Sequence, residues 1–167
     1  KSSIQFEHPP IITSAASIVG QTEGEGPLAI FFDRVEPDPT FGKKSWEEAE
    51  SELQRQTVQK CLDKAGRQAA DVNCLFAGDL LGQIVATSFG VVSFDIPFFG
   101  LYGACSTMGE AMILGAMAAG AGYADRVLAL ASSHFASAER QFRFPLAYGN
   151  QRPQSTTWTV TGCGCVM

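Results

Sequence analysis

Basic residues are scarce in this sequence and are never clustered. Lys and Arg together number 12 among 167 residues, against 17 Asp and Glu, so the formal net charge at pH 7 is -5. Nucleic acids and anionic lipid surfaces are recognised mainly through basic patches. We therefore expect no nucleic-acid partner.

A long apolar run is also missing. The most membrane-like stretch, residues 108–122, is shorter than the ~20 apolar residues that a bilayer crossing needs, and it contains Glu110. The amino terminus shows no secretory leader, although the opening at Lys1 indicates a trimmed sequence from which a leader could have been lost. We expect a soluble, intracellular protein.

Paired cysteines are absent as well. The five cysteines are an odd number and include no CxxC motif, which favours a reducing compartment over a disulfide framework. Cys163 and Cys165 share one side of a predicted strand, but no third or fourth ligand lies nearby in the sequence. The glycines of residues 20–26 open no helix and precede no Lys-Ser/Thr pair. We expect neither a metal site nor a phosphate-binding loop, and no cofactor.

The elements that are present predict one layered α/β domain, whose length and 46% apolar content allow a sizeable core. Apolar runs typical of strands occupy residues 11–19, 72–77, 96–102, 126–131 and 156–167. Helices are predicted at residues 45–66, with a capping box of Ser45 and Glu48 and an end at Gly66, at 80–89 and at 106–122. Strands separated by helices imply right-handed βαβ crossovers. Because the chain stops inside the last predicted strand, we expect a fragment.

A long loop is predicted between the first strand and the first helix. Residues 21–44 hold three glycines and three prolines, which do not suit a regular element. Their one apolar patch, residues 28–32, is expected to dock on the body of the domain.

Cys105 is the strongest candidate for a functional residue. It follows an apolar run and precedes residues 106–122, of which eleven of seventeen are Gly, Ala, Ser or Thr. Such a helix can be approached closely on every side, so we predict a buried central helix with Cys105 at its positive end. Unpaired N–H groups and the helix dipole favour a thiolate or a bound carboxylate there. An unreactive cysteine of the core is an equally compatible alternative.

A catalytic cysteine also needs a base, and the sequence offers only His8 and His134. His134 is the better candidate, because it follows the carboxyl end of a predicted strand, where ligands bind in α/β sheets. The segment from 132 to 154 is predicted to be a polar loop in which Arg140, Arg143 and Arg152 alternate with aromatic residues. Arginine forks and aromatic faces suit a flat anionic molecule. In the simpler alternative these arginines are solvated or pair with Glu139.

Several segments resemble known families. Ala104-Cys105-Ser106, the helix of small residues and ADRVLALASS (124–133) resemble the amino-terminal half of the thiolase and ketoacyl-synthase superfamily. A narrower resemblance, to the stage V sporulation protein AD family of endospore formers, rests on the segments SIVGQTEGEGPLA, DPTFGKKSWEEAE, LFAGDLLGQ, FGLYGACSTMGEAM and SSHFASAERQFRFPLAYGNQRPQ.

The resemblance implies a thiolase-like fold. Residues 1–167 would form the amino-terminal αβα half of an αβαβα architecture, with a mixed, mostly parallel sheet, a homodimeric assembly and a missing carboxyl half. It also implies that Cys105 occupies the superfamily's nucleophile position. The Gly and acidic residue that usually follow the RVLALA strand are replaced by Ser132, Ser133 and His134, which argues against ordinary acyl condensation.

The sporulation family implies a function in dipicolinic acid uptake into the developing spore, with membrane proteins of the same stage as partners and a peripheral position at the spore inner membrane. The leading hypothesis is a dipicolinate-binding site. Its expected residues are Gly103, Ala104, Cys105, Ser106, Thr107, His134, Arg140 and Arg143. The N–H groups of Ser106 and Thr107 are expected to donate to the ligand, which could enter as its calcium chelate. The rivals are an acyltransferase with Cys105 as nucleophile and an assembly subunit that binds no small molecule.

Overall fold

The computed structural model describes residues 3–81, 83–142, 155 and 157–167. Its centre is one sheet of six strands in the order β2-β1-β6-β5-β3-β4. The strands are β1 Ala15–Gly20, β2 Arg34–Glu36, β3 Cys74–Asp79, β4 Phe98–Gly100, β5 Val127–Ser133 and β6 Gly162–Val166. Only β6 runs antiparallel to its neighbours among these strands, whereas the other pairs are parallel. The predicted mixed, mostly parallel sheet is confirmed.

Five helices accompany the sheet in the described part of the chain. They are α1 Gln21–Gly24, α2 Trp46–Ala65, α3 Val85–Val91, α4 Thr107–Gly120 and α5 Phe135–Phe142. The capping box of α2 is formed as predicted, since Ser45 Oγ accepts from Glu48 N at 3.2 Å and Glu48 Oε2 accepts from Ser45 N at 3.2 Å. Gly66 ends α2 with a φ of 62°, in the left-handed region that favours glycine.

The two faces of the sheet carry different helices. On one face, Leu128 and Leu130 of β5 belong to the same buried core as Leu53 of α2. Successive strand residues point to opposite faces, so Val127 points to the other side. There the Cβ that Gly115 lacks would lie 3.1 Å from Val127 Cγ1, which shows how closely α4 packs on the sheet.

Helix α4 is buried on one side only. Thr107, Ala111 and Gly115 are buried on the sheet side. The rest of the helix surface carries exposed apolar side chains, namely Met112, Ile113, Leu114 and Met117. The predicted close packing is therefore found towards the sheet, whereas no described element of this chain covers the opposite side.

Several segments differ from their predictions. Helix α3 begins at Val85 rather than at 80, and strand β6 begins at Gly162 rather than at 156. Strand β1 begins at Ala15, later than predicted, and Ile11 and Ile12 before it are exposed. The expected docking of residues 28–32 is wrong, because Leu28, Ile30 and Phe31 are exposed in a 3₁₀ turn at Ala29–Phe31. The predicted loop after β5 begins instead with helix α5, and residues 143–154 lie outside the described part of the chain.

Candidate functional site

Residues 103–107 form a tight turn between β4 and α4. Residues Ala104–Ser106 are a single 3₁₀ turn, and Ala104 has a φ of 49° in the left-handed region, which L-residues with a Cβ adopt at a cost of ~1 kcal/mol. Cys105 is exposed at the tip of this turn, immediately before α4. The predicted strand, turn and helix with a sulfur at the helix start are therefore present.

The backbone donors of this turn are already in use. Ser106 N–H donates to the Gly103 carbonyl at 3.0 Å, and Thr107 N–H donates to the Ala104 carbonyl. The expectation that these two N–H groups are free for a ligand is therefore corrected: they close the turn that presents Cys105. The hydroxyl of Thr107 is also occupied, because it donates to the Ala104 carbonyl at 2.9 Å and accepts from Gly103 N at 3.1 Å.

A carboxylate, Glu110, lies over the same turn. A Cβ at Gly103 would be 2.6 Å from Glu110 Oε1 and 2.2 Å from Ser106 Oγ, so a side chain at this position would displace Ser106 or Glu110 from where they lie. Ser106 Oγ itself lies 3.5 Å from Glu110 Oε1. Our sequence analysis missed Glu110 as part of the site, although its position one turn into α4 after Cys105 would have indicated it.

The turn is pressed against the sheet at Gly78. A Cβ on this residue of β3 would lie 2.2 Å from the Leu101 carbonyl oxygen and 2.7 Å from Thr107 Cγ2. The position of Cys105 therefore depends on a residue without a side chain in the neighbouring strand.

His134 belongs to a different environment. It is fully buried, its Nε2 lies 2.7 Å from the Pro39 carbonyl, and its Nδ1 accepts from Ala136 N at 3.2 Å. Its ring stacks on Trp46 and Phe135, with centroid separations of 5.6 and 5.2 Å. Burial lowers the pKa of His134. The hydrogen bonds of its two ring nitrogens fit a neutral imidazole that donates from Nε2 and accepts at Nδ1.

These contacts separate His134 from the turn. Trp46 begins α2, which packs on the face of the sheet opposite to α4. The recorded partners of His134 therefore lie on the α2 side, and none of them belongs to residues 103–107 among the described positions. The structure does not bring the predicted base and the predicted nucleophile together.

Of the two predicted arginines, only Arg140 lies in the described part of the chain, and its ion pair is made away from the turn. Arg140, in α5, forms an ion pair with Glu47 in the first turn of α2. Arg143 lies outside the described residues.

A buried polar cluster lies on the α2 side of the sheet. Glu50 accepts hydrogen bonds of 2.8 Å from Ser132 Oγ and Ser137 Oγ, and burial raises its pKa to about 7. Gln54 Nε2 donates to Ser132 Oγ at 2.6 Å. The sequence analysis missed this cluster, because Glu50 and Gln54 look like ordinary surface residues of a charged helix.

The described residues offer no metal cluster. Within residues 3–81, 83–142, 155 and 157–167, no group of three or more His, Cys, Asp or Glu side chains is placed to hold a metal ion. None of the described helices combines the length and the apolar content that a bilayer crossing requires.

Comparisons with known proteins identify the sequence family. Residues 1–167 match the family described as stage V sporulation protein AD (SpoVAD). The chain is 41% identical over 167 residues to stage V sporulation protein AD of Bacillus subtilis (strain 168), covering 100% of this chain and 49% of that protein. The chain thus spans about half the length of the curated relative that it matches.

Solved structures with a similar fold include condensing enzymes. A variant of OleA from Xanthomonas campestris superposes with a TM-score of 0.64 at 14% identity, covering 98% of this chain and 58% of that one. The priming β-ketosynthase from the R1128 polyketide biosynthetic pathway gives a TM-score of 0.60 at 13% identity, covering 99% and 51%. At this identity the similarity shows the fold alone, which is the predicted thiolase-like α/β fold.

Proposed function

Because the chain belongs to the stage V sporulation protein AD family, a family of sporulation proteins, we propose that it binds dipicolinic acid (pyridine-2,6-dicarboxylate) for uptake into the developing spore. The observation that supports this site best is the exposed Cys105 on its strained turn, at the amino-terminal end of the 14-residue helix α4. The positive end of a helix dipole favours bound carboxylates.

The side chains around Cys105 suit a small polar ligand. Cys105 and Ser106 are both exposed, so the thiol of Cys105 is open to a ligand. The hydroxyl of Ser106 donates to the Gly103 carbonyl at 2.9 Å, so its oxygen faces the ligand as an acceptor. The close approach of Gly78 to the Leu101 carbonyl oxygen holds the backbone under them, which lowers the entropy lost on binding. Within this proposal Gly103, Ala104 and Thr107 shape the turn, and Cys105 and Ser106 face the ligand.

Glu110 favours the calcium chelate as the form that binds. Free dipicolinate is a dianion, and the nearby Glu110 carboxylate would repel it. In the chelate the calcium ion cancels the two ligand charges, and calcium accepts additional carboxylate oxygens readily. The proposed ligand is therefore calcium dipicolinate, with Glu110 directed towards the metal of the ligand.

His134 and Arg140 contribute to the proposed site only indirectly. His134 and Arg140 hold the α2 and α5 side together through the Pro39 and Glu47 contacts, so they would act on the site through the fold. Arg143 follows directly after α5 and is proposed as a ligand contact from the sequence alone.

Acyl transfer is the second candidate function. The exposed sulfur at a strained strand-to-helix turn is the arrangement that nucleophilic catalysis uses. His134 has both ring nitrogens engaged elsewhere, so this alternative requires a base from outside the described residues.

A homodimer is proposed as the assembly, with membrane proteins of stage V sporulation as further partners at the spore inner membrane. The last strand at one end of the sheet, β4, has no neighbour on its outer side in the described chain. Phe89, Val92, Phe99 and Tyr102, in and near α3 and β4, are exposed. An open strand edge with apolar side chains beside it is suited to pairing with a second copy.

Two variants of Cys105 test the binding site and separate it from the acyl-transfer alternative. Calorimetry on the full-length protein, with calcium and dipicolinate, should show binding that Cys105→Trp weakens at least ~tenfold by covering the turn, whereas Cys105→Ala retains it within about threefold. Equal affinity in both variants would place the ligand elsewhere.

The Cys105→Ala variant also tests the acyl-transfer alternative. Incubation with acyl-CoA should leave the mass of the intact protein unchanged if binding is the function. An acyl adduct that forms on the wild-type protein and disappears in Cys105→Ala would establish the thioester chemistry instead.

A further inference from the structure

Most of the net negative charge of the chain arises in one surface segment. Residues 21–38 contain the five acidic residues Glu23, Glu25, Asp33, Glu36 and Asp38 and one basic residue, Arg34, so their formal charge is 1 - 5 = -4, compared with -5 for the whole chain. The remaining 149 residues, 167 - 18, are therefore almost neutral overall. Lys64 of α2 pairs with Asp33, and Arg34 pairs with Glu36, so the excess negative charge of this segment is carried by Glu23, Glu25 and Asp38.

The same segment exposes large apolar side chains. Leu28, Ile30 and Phe31 are 59%, 86% and 72% exposed, and they are adjacent in a single 3₁₀ turn. We call these three side chains, together with the acidic residues of 21–38, the acidic-apolar surface. Isolated exposed apolar residues are ordinary, whereas a contiguous group with a charged rim is typical of an interaction site.

This surface is held in one conformation by contacts with the body of the domain. Asp33 accepts from Ser17 N at 2.9 Å and from Lys64 Nζ at 2.7 Å, which fixes the segment to β1 and to the end of α2. Within the turn, Phe31 N donates to the Leu28 carbonyl at 3.0 Å. The apolar side chains are therefore presented by a fixed turn, and a partner would lose little entropy in ordering them.

We propose that the acidic-apolar surface docks a basic amphipathic helix of a protein partner. The apolar stripe of such a helix would cover Leu28, Ile30 and Phe31, and flanking lysines or arginines would face the acidic rim. An anionic lipid surface could accept the apolar side chains, but the excess negative charge of the segment is repelled by it. Charge complementarity thus selects a basic protein segment over an anionic lipid surface.

The proposal is tested with the full-length protein and a synthetic helix of about 18 residues, made of Leu and Lys, as the probe. We expect this peptide to bind at low salt, and its Leu and Glu counterpart to bind at least ~tenfold more weakly, because the acidic rim repels it. Ile30→Ser should reduce the affinity for the Leu and Lys peptide ~tenfold. Tyr123→Ser is the matched control, since Tyr123 is also 86% exposed but lies outside the segment.

Measurements of melting temperature and of sedimentation test whether the remainder of the chain or a second copy covers this surface instead of a partner. The proposal requires that Ile30→Ser leave both unchanged. A fall of several degrees in melting temperature would mean that the remainder of the chain covers the patch, and a loss of dimer would mean that a second copy covers it. Either result overturns the proposal, as does equal peptide binding by the Ile30 and Tyr123 variants. Binding to phosphatidylglycerol vesicles that depends on Ile30 would also overturn it, in favour of a membrane surface.

Discussion

Glu50 and Asp79 are joined through the interior by a continuous series of hydrogen bonds. Ser132 Oγ donates to Glu50, Gln54 Nε2 donates to Ser132 Oγ and to Thr87 Oγ1 at 3.0 Å, and Thr87 Oγ1 donates to Asp79 Oδ2 at 2.6 Å. Both carboxylates are buried. The series connects α2, β5, α3 and β3, so the protonation state of Glu50 affects the packing of all four elements.

The first prediction concerns Glu50 and pH. Burial raises its pKa from 4.5 to about 7, so the folded state favours the protonated form. The stabilisation that Glu50 contributes to the fold is therefore complete below pH 4.5 and is lost as pH rises through about 7. At about 1.4 kcal/mol per pH unit, the loss is about 3 kcal/mol. Denaturant unfolding between about pH 5 and 8 should show this decline in the wild-type protein and a flatter curve for Glu50→Gln.

Glu25→Gln is the control for this measurement, because Glu25 is exposed. A Glu50→Gln curve parallel to that of the wild-type protein would show that another group causes the decline.

The second prediction concerns His134, whose pKa is lowered by burial. The neutral ring is favoured in the folded state, so this contribution is complete above pH 6.5 and is lost as pH falls below that value, opposite in direction to Glu50. His134→Ala should cost about 3 kcal/mol at about pH 7.5, since it removes a stacked, buried ring. Dipicolinate affinity should stay within about twofold at a temperature where the variant is folded. A complete loss of binding by the folded variant would place His134 in the site after all.

The sequence predicts the helix ends and the strands well because these features depend on residues that are close together in the chain. The capping box at Ser45, the end at Gly66 and the buried strand at Cys74–Asp79 depend on residues that are close in the chain. The exposed turn at Cys105 follows in the same way from a strand, a glycine and a helix start.

The composition of the site depends on contacts that are distant in sequence. His134 and Cys105 both lie near carboxyl ends of strands, but the sequence does not show which face of the sheet each side chain joins. The exposure of Leu28, Ile30 and Phe31 was mispredicted for a similar reason, because apolar character alone does not show whether a surface exists to bury it. Glu110 lies over the turn because Gly103 has no side chain there, a contact that the sequence does not show.

The third prediction concerns Gly78, on which the turn rests. Gly78→Ala should destabilise the protein by at least ~2 kcal/mol, because the new methyl group would overlap the Leu101 carbonyl oxygen and the Thr107 side chain. It should also slow the reaction of Cys105 with a thiol reagent by displacing the turn. Gly162→Ala is the matched control in the same sheet, since its Cβ would meet Val19 at an ordinary 3.4 Å. If Gly78→Ala and Gly162→Ala have the same melting temperature, the close contact at Gly78 is relieved without cost and the position of Cys105 does not depend on it.

The last prediction concerns Glu110 and the form of the ligand. If the carboxylate faces the calcium of a chelate, the wild-type protein should bind dipicolinate at least ~fivefold more tightly with calcium than with a chelator present. Glu110→Gln should lose this calcium dependence and bind free dipicolinate about fivefold more tightly than the wild-type protein, because the repulsion between carboxylates is removed.

Calorimetric titrations with calcium and with a chelator decide between the two forms of ligand. Glu48→Gln is unsuitable as a control because Glu48 caps α2, whereas Glu25→Gln changes the same charge at an exposed position in another segment. A Glu110→Gln protein that keeps the calcium dependence of the wild type would show that the metal of the chelate lies away from this carboxylate. In that case other groups would contact the calcium of the chelate, and the site would extend beyond residues 103–110.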